Sequence, residues 1–175
     1  MPGTDLLDLG GLRLPQWPDT EIRLESGGVP ARLLAATALH EGTVLQLQAY
    51  RGTSAQWATV RAEFIDGVRE QGGTARERTG PHGVEIRCTL PADSGEDPEA
   101  GPDLRVLGRE GPGWLLRGTV TGPDIDPGPD HEDWAADYFA EVVVVPGFGR
   151  RRAVSLAAAW GRVRTAEPIP LRFPA

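Results

Sequence analysis

The chain has 175 residues, a formal net charge of −7, one cysteine and no lysine, so arginine carries all of its basic charge. That length suits one domain with its own core, and the single Cys88 excludes an intrachain disulfide framework. No apolar run reaches the ~20 residues of a membrane helix. The net acidity argues against a surface that binds nucleic acid or anionic lipid as a whole.

In chain order, Glu21 to Glu25 alternates, with Ile22 and Leu24 inward. After a Gly27-Gly28 turn, Arg32 to Leu39 and Thr43 to Arg51 read as a strand pair joined at His40-Glu41-Gly42. Leu45, Leu47 and Ala49 face one side of the second strand; Gln46, Gln48 and Tyr50 face the other. Thr53 with Gln56 forms a capping box. Trp57, Val60, Phe64, Ile65 and Val68 follow at helical spacing, and Gly72-Gly73 ends the helix.

Four strands come next: Thr74 to Arg78, Val84 to Leu90, Leu104 to Arg109 and Trp114 to Thr121. In the second, Val84, Ile86, Cys88 and Leu90 point inward and Glu85, Arg87 and Thr89 outward. In the fourth, Trp114, Leu116, Gly118 and Val120 oppose Leu115, Arg117 and Thr119. The acidic, Pro/Gly-rich stretch 91–103 reads as a mobile loop. Asp130 caps a second helix from about His131 to Ala140, packing through Trp134, Tyr138 and Phe139. Val142 to Val145 is either a final strand or the end of that helix, and 146–175 is an irregular tail. The order predicts a single α+β layered domain over residues 1–175. Its mostly antiparallel sheet is covered by the two helices, which shield one apolar side.

Four motifs resemble the DUF3710 family of actinobacterial proteins. They are Leu7-Asp8-Leu9-Gly10-Gly11-Leu12-Arg13-Leu14-Pro15; Leu45 to Arg51 followed by Trp57; Gly111-Pro112-Gly113-Trp114-Leu115-Leu116-Arg117-Gly118; and Pro168-Ile169-Pro170-Leu171-Arg172-Phe173-Pro174. The resemblance runs from about residue 5 to the end. Gly113 stands where the family usually has arginine, and the stretch from Phe148 to Ala159 is longer than usual. The resemblance implies a cytoplasmic domain; no catalytic residue comes with it, because the family has no established activity.

Candidate chemistry is sparse. Arg117 reads as an anion or carboxylate binder, or as a residue covering the sheet while Trp114 fills the core. Asp124, Asp126, Asp130, His131, Glu132 and Asp133 have the oxygens a hard cation wants but miss a calcium-loop spacing, so helix-dipole stabilisation explains them better. No metal is expected. Arg150, Arg151 and Arg152 suit phosphate or carboxylate, and also suit pairing with the acidic loop. His40, His82 and His131 are scattered, with no zinc spacing. Cys88 falls on an inward face, where a thiol is inert. The Gly-rich stretch 108–122 lacks a P-loop's Lys and Ser/Thr and a dinucleotide fingerprint, so no cofactor is expected.

The expected function is that of a cytoplasmic, non-enzymatic protein-interaction or scaffold domain. Its binding surface is drawn from Trp114, Arg117, Arg150, Arg151, Arg152 and Trp160, with no membrane contact. One alternative is nucleic-acid or nucleotide-linked binding through the arginine loop. Another is a small-molecule binder or enzyme with a polar cavity near Tyr50, Trp57 or Trp114.

Overall fold

Tight hairpins build most of this fold, because period-two segments are separated by turns too short for a crossover. The computed structural model describes residues 5–28, 32–52, 56–91, 101–148 and 167–174. The strands are β1 (Leu6–Asp8), β2 (Leu12–Pro15), β3 (Glu21–Gly27), β4 (Arg32–His40), β5 (Thr43–Arg51), β6 (Thr74–Gly80), β7 (Gly83–Thr89), β8 (Asp103–Gly111), β9 (Trp114–Thr121), β10 (Val143–Val144) and β11 (Glu167–Pro168). Two α-helices, α1 (Trp57–Glu70) and α2 (Trp134–Glu141), and a 3-10 turn at Pro123–Ile125 complete the described elements.

The main sheet runs in the order β3-β4-β5-β9-β8-β7-β6, every pair antiparallel, and β11 joins it on β5. The β4–β5 turn puts Glu41 at φ +46° and Gly42 at φ +86°. Two left-handed residues match the twist of the flanking strands. A smaller sheet, β1-β2-β10, packs nearby. The Val142–Val145 ambiguity thus resolves as a strand, with Val143 opposite Arg13 and Val144 opposite Leu12.

The two helices lie on opposite faces of the sheet, not on one. On the α1 face, Trp57, Val60, Phe64, Ile65 and Val68 bury against Ala75, Ile86, Cys88, Leu104, Val106 and Leu115. On the α2 face, Trp134, Tyr138 and Phe139 bury against Leu45, Leu47, Leu107, Leu116 and Val120, joined by Leu9, Leu12 and Leu14 of the small sheet region. The physical reason is in β8 and β9. Consecutive residues point to opposite faces, and both Val106-Leu107 and Leu115-Leu116 are buried pairs. Each strand therefore feeds two cores, and each core needs its own cover.

The helix starts also differ from the expected ones. The N-cap of α1 is Gln56 in extended backbone, with no side-chain cap bond; Thr53 lies outside the described residues. In place of a local cap, the Glu110 carboxylate of β8 accepts from the Trp57 backbone N–H. The α2 cap is Asp133 and not Asp130: its Oδ1 accepts from Ala136 N at 3.1 Å, while Asp124 Oδ2 accepts from Ala135 N at 3.1 Å. Most of the expected loop at 91–103 and of the tail at 146–175 lies outside the described residues. Of the tail, Ile169 is buried and docks by donating its N–H to Ala49 O at 2.7 Å. No helix among the described residues is long and apolar enough to cross a membrane.

Candidate functional site

The α2 face carries a second, polar half over β6, β7 and β8. Outward alternation on β7 would leave Glu85 and Arg87 in solvent, yet Glu85 is 3% exposed. The 3-10 turn and the start of α2 cover this part of the face, which local periodicity cannot show.

Antiparallel register sets three arginines side by side there. Arg76 of β6 stands opposite Arg87 of β7, and Arg87 stands opposite Arg105 of β8. Like charges directly opposite one another across strands repel. Only Arg105 is fully compensated. It is 0% exposed and donates through Nε to Glu85 Oε2 at 2.9 Å, through Nη1 and Nη2 to both Asp133 oxygens, and through Nη1 to the Asp124 carbonyl at 2.9 Å. This is a bidentate, charge-assisted clamp on the helix start.

Arg87 fares differently. Its Nη2 approaches Glu85 Oε1 at 3.5 Å and Asp126 Oδ1 at 3.7 Å, both carboxylates being shared with other arginines. Its Nε and Nη1 are buried and have no hydrogen-bond partner. Burial, and then repulsion from Arg105, lower its pKa from the ordinary arginine value. Arg78 pairs with Asp126, and Arg76 has no ion pair among the described residues. Between them lies a groove of about 400 Å³, walled by Thr74, Arg76, Arg78, Arg87, Asp103 and Asp126. Three guanidinium groups against two carboxylates leave its wall with a net positive charge, which suits an anion.

The remaining candidates are dispersed. Trp114 is half-buried against the α2-side core, with the Arg109 guanidinium 5.9 Å over its ring. Arg117 points to the other face and is 5% exposed; its Nη2 donates to Gln48 Oε1 and its guanidinium lies 5.3 Å over the Tyr50 ring. Trp114 and Arg117 therefore form no common surface. Arg150, Arg151, Arg152 and Trp160 lie outside the described residues. Tyr50, Trp57 and Trp114 do not wall this groove. Cys88 is buried; burial first and the Asp103 carboxylate second push its thiol up to about 11. His40 stacks on Trp134 at 5.1 Å, and His82 pairs with Asp137 at 3.0 Å.

The acidic run at 124–133 is drawn apart by the arginines and the helix start. Asp124 and Asp133 cap α2, and Asp126 turns to Arg78. Among the described residues no group of three or more His, Cys, Asp or Glu could hold a metal ion. Sequence reasoning missed Arg76, Arg78 and Arg87. The signal was there in their parity: Arg76 and Arg87 fall on one face once Gly80 and Gly83 close the β6–β7 hairpin.

No curated protein and no solved structure matches the chain. A family model described as "Protein of unknown function (DUF3710)" matches residues 2–155.

Proposed function

The chain belongs to the DUF3710 family, and we propose that it works by binding, as a cytoplasmic, non-enzymatic interaction domain that receives an acidic segment of a protein partner in the arginine groove. One observation carries this reading: the register holds Arg76, Arg87 and Arg105 in a row, and only Arg105 has its full set of acceptors. A charged group perturbed by burial and a like-charged neighbour, beside a groove, marks a candidate binding site. The acidic partner is preferred over nucleic acid because the net charge of −7 repels a polyanion approaching over a wide front. A short carboxylate segment meets the groove alone. The cytoplasmic placement rests on the lone, buried Cys88.

The test is a titration of the full chain with an extended fluorescent peptide carrying four glutamates, beside its glutamine counterpart, a DNA duplex and pyrophosphate. Saturable binding of the glutamate peptide alone, weakened roughly tenfold by Arg87→Met and by added salt, is the expected result. Tighter binding of DNA or pyrophosphate would transfer the groove to phosphate ligands. Binding unchanged in both Arg87→Met and Arg76→Ala, or no binding of any probe, overturns the reading.

A further inference from the structure

The main sheet is split at one end. β7 and β8 pair from Ile86–Val106 to Thr89–Asp103, although Gly83–Glu85 and Leu107–Gly111 continue as strand on the other side of that point. Trp57 enters the gap from the α1 face. Its Nε1 donates to the freed Val84 carbonyl at 2.6 Å. Its ring occupies the space of the side chain that Gly108 lacks, 2.2 Å from where a Cβ would stand. From the opposite face, Ala136, Phe139 and Ala140 of α2 roof the gap. What remains is a cavity of about 220 Å³, with Val84, Leu107 and Phe139 as apolar wall and Arg109 at its side.

Arg109 has no carboxylate partner among the described residues. Its Nη1 and Nη2 donate to the carbonyls of Ala140 and Val142 at the end of α2, where the helix dipole supplies only part of a negative charge. The Trp114 and Phe139 rings each lie 5.9 Å from its guanidinium carbon. Its Nε is buried without an acceptor. The acid in the wall, Glu85, is held by Arg105 and Arg87, and His82 at the rim is held by Asp137. A half-buried cation without a carboxylate, each of its Nη atoms keeping a second N–H, thus borders a mostly apolar space.

We propose that this cavity is a binding site for a small monocarboxylate with a compact apolar body, the carboxylate on Arg109 and the body against Phe139, Leu107 and Val84. The size fits: an apolar protein cavity of about 150 Å³ holds benzene, so this one accommodates a benzoate-sized acid. The mostly apolar wall disfavours a strongly hydrated dianion, and the guanidinium favours an anion over a neutral body of the same shape.

The probe is benzoate, compared with benzamide as its uncharged isostere, titrated into the isotope-labelled full chain. Benzoate should shift the Gly83 and Gly108 amides and the Trp57 indole N–H saturably, with benzamide roughly tenfold weaker or more. Ala140→Phe, which plugs the roof and keeps Arg109, should abolish the benzoate shifts. The benzoate–benzamide comparison needs no variant, so it decides even where a substitution impairs folding. Equal affinity for the two probes, absence of shifts at those three reporters, or full benzoate binding by folded Ala140→Phe would overturn the proposal.

Discussion

Arg105 grips Asp133 through two parallel hydrogen bonds, Nη1 to Oδ1 at 2.7 Å and Nη2 to Oδ2 at 2.6 Å. The same aspartate caps α2. Asp133→Ala therefore strips a fully buried guanidinium of one counter-ion and a helix of its cap at once. Loss of one partner of a buried pair costs about 3–5 kcal/mol. Denaturant unfolding should show a loss of that order, and Asp133→Asn, which keeps the cap oxygen, should lose less.

Arg87→Met should raise stability by about 0.5–2 kcal/mol. Two buried donors without acceptors disappear, together with the repulsion from Arg105, and methionine fills a similar stem volume. A higher denaturation midpoint combined with weakened peptide binding is the signature of a residue kept for recognition. A lower midpoint would identify Arg87 as a strut.

Gly118 of β9 leaves room for two side chains of the α2-side core. A Cβ there would stand 2.8 Å from Phe139 Cδ2 and 2.9 Å from Leu45 Cδ1. Gly118→Ala should cost about 1–3 kcal/mol by overpacking. Pairing it with Phe139→Leu should recover part of the loss, which a two-variant cycle in urea would measure.

Cys88 gives a pH signature. Its thiol ionises near 9 when unfolded and near 11 when folded. The raised folded value means that its contribution is fully present below about pH 9 and lost as pH rises toward 11. Wild type should lose stability through that window more steeply than Cys88→Ala. Ellman's reagent should react slowly with the native chain at pH 8 and at once after unfolding.

Much of the sheet was legible because its strands obey period two and its turns carry glycine. The stripe Trp57, Val60, Phe64, Ile65, Val68 is buried as its spacing implies. What escaped was relational. Alternation sets Leu115 and Leu116 on opposite faces, but nothing local says that each face has a core of its own. Glu85 and Arg87 have outward parity, and only the placement of the 3-10 turn and α2 shows that their side of the sheet is covered. The Asp130 cap failed for a similar reason: several acids precede Trp134, and Arg105, a sheet residue, selects Asp133 among them. The groove was illegible because it exists only in the cross-strand register of Arg76, Arg87 and Arg105.

The β8–β9 hairpin is a party wall between two rooms. Sliding β9 by one position would send Leu115 and Leu116 each into the wrong room, disturbing both together. Loosening of one half therefore disturbs the other, and heat should melt the two together in a single step.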